Sequence, residues 1–244
     1  MTYKGLLSRF RMLPKIINIA YRSLVTGTYV REAKYLKYDS EFTRLMDLRD
    51  LSRGLTVTLD ESYTLYSSLN ATSALEGAIA EVGVYKGTTA KLICALKGDK
   101  EFFLFDTFEG MPDSKITASD RWQPGTHTDT SLASVKAYLS EYSNLHFVSG
   151  IFPESAHANH HERQIPNWFS FVNLDVDLYR STLDALEYFY PRLVIGGRLV
   201  SHNFNLKNGL GGDTPGVQEA FHEYFSGNEH EIIEIAETQC MVIK

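Results

Sequence analysis

From about residue 60 onward, short apolar runs alternate with helix-like segments, and this alternation restricts the fold more than any other feature of the chain. Residues 77–85, 101–106, 145–149 and 169–175 are each largely apolar, as strands covered on both faces should be. Residues 67–75 lead up to the first of these, and a glycine turn passes from it into a helix at 88–96. A second helix opens at 181–184 and runs through Tyr190, with Ser181 as N-cap, Asp184 as the acid of a capping box and Pro191 near its stop. Gly196-Gly197 turns into a strand at 198–201. After a helix at 216–225, runs at 231–237 and 239–244 are separated by so little chain that they form an antiparallel hairpin. The expected class is therefore α/β, a mostly parallel sheet with an antiparallel edge.

The first 55 residues follow a different pattern, with apolar positions recurring every three or four, so they form a helical segment preceding a domain at 56–244. Residues 1–26 are basic and amphipathic and read as a docking or lid helix. No apolar run reaches the roughly 18 residues of a membrane span, so no integral membrane segment is expected. The 24 Lys and Arg against 30 Asp and Glu leave a net charge of −6, which offers no broad basic face for nucleic acid. Cys94 and Cys240 are the only cysteines, without metal-binding spacing, which fits a reducing, cytoplasmic setting.

In such a sheet, ligands bind beyond the carboxyl ends of the strands, where strand order reverses. After the first strand stand Glu81, Gly83, Tyr85, Gly87, Thr88 and Thr89. This is a nucleotide-type turn whose following helix offers amides to anionic groups. It is not a dinucleotide fingerprint, because Tyr85 occupies the second glycine position, and it lacks the Gly-Lys-Ser/Thr ending of a P-loop. Asp106 ends the next strand nineteen residues after Gly87, where a carboxylate suits the two hydroxyls of a ribose. The expected cofactor is a nucleoside.

The blocks Glu81-Val-Gly-Val-Tyr-Lys-Gly87, Phe105-Asp-Thr-Phe-Glu-Gly-Met-Pro112, Phe152-Pro-Glu-Ser155, Leu174-Asp-Val-Asp-Leu-Tyr-Arg-Ser-Thr-Leu-Asp-Ala-Leu186 and Gly196-Gly197 occur in order over about residues 56–205. Together they resemble the macrocin and mycinamicin O-methyltransferase family, which is similar to other class I S-adenosylmethionine-dependent methyltransferases. The resemblance implies a Rossmann-like, seven-stranded sheet and O-methylation of a sugar hydroxyl on a small-molecule or saccharide acceptor. It implies the methionine part of the cofactor near residues 81–89, the ribose on Asp106, Phe108, Glu109, Gly110 and Met111 against the nucleoside, and Ser149 or Gly150 near the adenine.

The family also implies a divalent metal, usually magnesium, that orients vicinal hydroxyls, with ligands from Leu-Asp-x-Asp and from an Asp-Asp pair. Asp175 matches the first, beside Asp177, whereas the pair is replaced by His202 and Asn203. Magnesium prefers oxygen donors and imidazole suits manganese or zinc, so the change leaves three readings. One is a metal site of altered preference on Asp175, His202 and Asn203; the second is His202 acting as base without metal; the third is a cofactor-binding or assembly subunit without turnover. Methyl transfer to oxygen needs the acceptor proton removed. His127, the only histidine in the stretch after the Phe-Glu-Gly-Met-Pro block, is the family's counterpart for that task, and His202 is its rival.

Other features carry weaker expectations. His157, His160 and His161 read as a surface loop, because nothing fixes each ring as a zinc ligand. Trp122 and Trp168 either wall an acceptor pocket or pack in the core. Residues 209–216 are a glycine-rich lid candidate. The N-terminal helices are expected to cover the acceptor and to contribute to a homo-oligomer.

Overall fold

The computed structural model describes residues 40–48, 53, 57–158, 165–204, 215–235 and 238–244. The expected amphipathic segment at 1–26, His160, His161 and most of the glycine-rich stretch lie outside them. The chain divides into two compact units, Met1–Asp47 and Leu48–Lys244. In the first, helix α1 (Ser40–Met46) buries Phe42 and Leu45.

The second unit runs α2 (Leu59–Thr72), β1 (Ala78–Val82), α3 (Thr88–Leu96), β2 (Phe102–Asp106), α4 (Leu132–Tyr138), β3 (Leu145–Ser149), α5 (Glu154–Ala158), β4 (Phe169–Leu174), α6 (Tyr179–Phe189), β5 (Leu193–Ser201), α7 (Pro215–Tyr224), β6 (Ile233–Ile235) and β7 (Gln239–Ile243). The seven strands form one sheet in the order β3-β2-β1-β4-β5-β7-β6. The first five of these are mutually parallel, and β7 runs antiparallel to both β5 and β6. Strand order reverses between β1 and β4, so a crevice opens at their carboxyl ends.

Side-chain alternation divides the core between the two faces of the sheet. Ala80, Val82, Phe105, Val172, Leu174 and Leu199 pack against Leu186 and Phe189 of α6 and Phe221 of α7. Ile79, Leu104, Phe171 and Val200 pack on the other face against Leu65 and Leu69 of α2 and Ile93 of α3. Both faces are covered, which is why these strands read as continuous apolar runs rather than as alternating ones.

Three elements differ from the sequence reading. Strand β5 begins at Leu193, so Gly196 and Gly197 lie within it rather than turning into it. Residues 67–72 belong to α2, whose start is fixed by a capping box: the Thr58 hydroxyl accepts from Glu61 N–H (3.2 Å) while Glu61 accepts from Thr58 N–H (2.6 Å). Ser62, Thr64, Ser68 and Thr72 are buried on this helix, and the hydroxyls of Ser62, Thr64 and Thr72 donate to carbonyls one turn back. Its core face is therefore partly polar in composition, which masks the helical period. Helix α6 begins at Tyr179, so Ser181 already lies within the first turn and the N-cap is Leu178, which has no capping side chain. Asp184 caps nothing; it is buried and pairs with Lys115 (2.8 Å) and Arg180 (2.5 Å).

Candidate active site

The crevice at the β1/β4 switch point is a cavity of about 420 Å³. One wall is the turn after β1, where Gly83, Val84, Tyr85, Thr88 and Thr89 line the space. Gly83 has φ +87°, and a Cβ there would sit 2.0 Å from the Asp175 carbonyl oxygen, so only glycine lets β1 come this close to β4. Tyr85, at the missing glycine position, nevertheless adopts a left-handed φ of 50°. That conformation is held by Asp106, whose Oδ2 accepts from the N–H groups of Val84 (2.7 Å) and Tyr85 (2.8 Å), while Oδ1 accepts from Phe108 N–H (2.6 Å). A carboxylate offers about four acceptor positions, so Asp106 clamps the turn and keeps capacity for a hydroxyl.

The opposite wall carries the polar groups. Asp175, Asp177 and Asn203 reach the cavity from the ends of β4 and β5. Burial raises the pKa of Asp175, against the lowering charge of His202 and then His127. Asp177 is pushed up to about 7, chiefly by burial and then by the charge of Asp175, while the Asn203 amide donates to its carboxylate and pulls the other way. Asp177 and Asn203 both have left-handed backbones, with φ of 60° each, which re-aims their side chains at the strand ends.

The long connection after β2 supplies a third wall through Thr107, Gly110, Met111, Pro112, Trp122, His127 and Thr130. The His127 ring lies 4.7 Å from the Tyr85 ring and 5.4 Å from the Trp122 ring, centroid to centroid, so three aromatic side chains form one surface. Tyr85 in turn donates its hydroxyl to Asp129 (2.5 Å), and the Thr130 hydroxyl donates to the Tyr85 carbonyl (2.5 Å).

Of the residues singled out from sequence, the cavity gathers Gly83, Tyr85, Thr88, Thr89, Asp106, Gly110, Met111, His127, Gly150, Asp175 and Asn203. It does not gather Glu81, Gly87, Phe108, Glu109, Ser149 or His202. Phe108 is buried in the core on the α2 and α3 face, Glu109 is exposed, and Ser149 is exposed with its hydroxyl near the Thr107 carbonyl (3.4 Å). Glu81 is fully buried on the α2 face, where Oε1 accepts from the Asn173 amide (3.0 Å) and burial raises its pKa well above the usual range. His202 is on the same face: its N–H still extends the β4 ladder to the Leu174 carbonyl (3.0 Å), so alternation carries its ring the way of Val200. There Nε2 lies 3.2 Å from both Asn173 Oδ1 and Gln239 Nε2. Trp168 is 63% exposed and does not line the crevice; it borders a separate pocket with Leu75, Glu76 and Lys100. Thr107, Thr130 and Ile151 line the cavity without having been singled out; the backbone rather than residue type places them.

Of the expected metal set, Asp175 and Asn203 line the cavity, whereas the His202 ring is engaged by Asn173 and Gln239 although its charge still acts on Asp175. Among the described residues no three His, Cys, Asp or Glu side chains come together as a metal site. The Asn203 amide nitrogen donates to the Asp177 carboxylate. These donors do not fit a divalent ion as they stand.

Residues 64–232, more than half of the chain, match the family Macrocin-O-methyltransferase (TylF). The chain belongs to the macrocin O-methyltransferase family. Mycinamicin III 3''-O-methyltransferase of Micromonospora griseorubida is 29% identical over 180 residues, 65% of this chain and 65% of that protein. An 8-demethyl-8-(2,3-dimethoxy-alpha-L-rhamnosyl)-tetracenomycin-C 4'-O-methyltransferase of Streptomyces olivaceus is 26% identical over 167 residues, 61% of this chain and 58% of that protein. The chain thus matches less than two thirds of the length of these relatives. The O-methyltransferase NovP shares the fold, with a TM-score of 0.62 at 20% identity, over 77% of this chain and 81% of that one. The macrocin O-methyltransferase assignment agrees with the Rossmann-like sheet and the position of the crevice. No helix among the described residues is long and apolar enough to cross a membrane.

Proposed function

We propose that this macrocin O-methyltransferase family member transfers the methyl group of S-adenosylmethionine to a hydroxyl of a sugar or glycosylated small molecule. The observation that carries the reading is one cavity shared by two sets of groups: the Asp106-clamped turn on one side, and His127, Asp175 and Asp177 on the other. The turn and Met111 suit an adenosyl cofactor, with Asp106 reaching the ribose. The surface made by Tyr85, Trp122 and His127 suits the apolar C–H face of a pyranose, and the two carboxyl groups suit its hydroxyls.

In the transfer, the acceptor oxygen attacks the methyl carbon in line, the carbon–sulfur bond breaks, and the sulfonium becomes the neutral thioether of S-adenosylhomocysteine. The hydroxyl proton goes to a base. His127 is proposed for this step because it lines the cavity, whereas the ring of His202 is engaged on the other face. Asp175 and Asp177 hold the acceptor, and no step is assigned to a metal.

The test is calorimetric titration with S-adenosylhomocysteine, followed by incubation with S-adenosylmethionine and a panel of deoxysugar glycosides read by mass spectrometry. Binding that is lost on Asp106→Ala, together with a product one methylene heavier, supports the proposal. The absence of binding heat overturns it. Binding without transfer to any acceptor favours a noncatalytic cofactor-binding subunit.

A further inference from the structure

Helix α6 follows directly on the Asp175 to Asp177 segment, yet its own N-cap, Leu178, offers no oxygen to the free N–H groups of the first turn. The missing acceptor comes from elsewhere in the chain. Asp120, on the connection between β2 and α4, accepts from Tyr179 N–H through Oδ1 (2.8 Å). Its Oδ2 accepts from both the N–H and the hydroxyl of Thr117 (2.8 Å each), so one carboxylate fastens the connection's own turn to the start of the helix. A third element closes on the same point: a Cβ at Gly216, in the first turn of α7, would sit 2.4 Å from Asp120 Oδ1 and 2.9 Å from Tyr179 N.

Trp122 lies two residues beyond Asp120, and its ring is packed on that of His127. The rest of the connection is internally tied, since Met111 N–H donates to the Thr126 carbonyl (2.8 Å) and Gly125 N–H to the Met111 carbonyl (3.2 Å). Lys115 also ties the connection to Asp184 within α6, and Asp129 and Thr130 tie it to Tyr85, but Asp120 is the attachment nearest Trp122 at the start of α6, and so helps set where the Trp122 and His127 rings stand relative to the carboxyl groups preceding that helix.

We propose that Asp120 is a positioning residue, a helix cap supplied from a distant loop that sets the His127 wall of the cavity against the Asp175 and Asp177 wall. Its bearing on catalysis rests on the methyltransferase reading, whereas its bearing on geometry does not. The experiment uses Trp168→Phe as the parent, because the chain has two tryptophans and the exposed Trp168 lies outside the cavity, leaving Trp122 as sole reporter. In that parent, Asp120→Ala is expected to shift the Trp122 emission to the red and make it more accessible to acrylamide. Asp120→Asn retains an Oδ1 acceptor for Tyr179 N–H but replaces the acceptor of the two Thr117 bonds with a donor, so its spectrum should fall between those of the parent and Asp120→Ala. Gly216→Ala, whose methyl group would meet Asp120 Oδ1 and also the Cβ and backbone nitrogen of Tyr179, disturbs the same junction, should likewise shift the Trp122 emission to the red, and carries the test if Asp120→Ala does not fold.

S-adenosylhomocysteine binding should persist in Asp120→Ala, because Asp106 and its turn are untouched. With an acceptor that the parent methylates, kcat should fall roughly 10- to 100-fold with little change in KM for S-adenosylmethionine. An unchanged Trp122 spectrum in Asp120→Ala overturns the proposal. If the parent binds no S-adenosylhomocysteine, the methyltransferase reading fails while the spectra still decide the role of Asp120.

Discussion

Asp106 and Asp177 show how one residue type takes opposite roles through its surroundings. Asp106 accepts three backbone N–H groups and clamps a turn, while Asp177 sits buried beside a second carboxyl group, which disfavours its ionised form. Because Asp177 has a raised pKa in the folded state, the folded protein keeps a proton that the unfolded chain releases between about pH 4 and about pH 7. Folding stability from this group therefore falls as pH rises through that window. Asp177→Asn abolishes the titration, so its stability relative to wild type should increase from pH 4 to pH 8, by on the order of 4 kcal/mol at most. Urea melts across that range check this; a constant difference would contradict the assignment. At His127, replacement by alanine should lower kcat by about 10²- to 10⁴-fold, as expected for loss of a general base. Calorimetry should show S-adenosylhomocysteine affinity little changed by His127→Ala.

At the scale of elements, the capping box on α2 makes a separable claim. Thr58→Ala removes one side-chain acceptor from a helix that lines no part of the crevice, and should cost about 1 kcal/mol in thermal melts without altering cofactor binding. The same helix shows why some elements were legible in the sequence and others were not. Helix α3 and strand β3 fall at the residues expected, because each is an apolar run with an unambiguous period and α3 has glycine at its start. Helix α2 was hidden by hydroxyl groups that bury themselves through their own backbone. The start of α6 was displaced because its cap comes from Asp120, 59 residues away in sequence, and no local pattern encodes such a partner. His202 is a different case: the alternation of β5 pointed its ring with Val200 toward α2, while its place at a strand end and the family pattern both drew it toward the crevice.

At the scale of the whole molecule, the sheet order brings together segments that the sequence separates widely: Asp106 with Val84, His127 with Tyr85, and Asn203 with Asp177. The blocks themselves were readable, since strand ends and glycines announce them; their facing was not, because it depends on left-handed residues such as Tyr85, Asp177 and Asn203 that carry no glycine signal. Because the His202 ring is engaged by Asn173 and Gln239, methyl transfer should survive EDTA, and a loss of turnover restored by magnesium would show that these groups rearrange around an ion. The most direct measurement is a crystal structure with S-adenosylhomocysteine. The adenosyl group should lie along residues 83–85 and Met111, its ribose at Asp106, and the sulfur should face the space between His127 and Asp175. A nucleoside bound elsewhere, or a crevice closed by side chains with no room for it, would contradict the assignment.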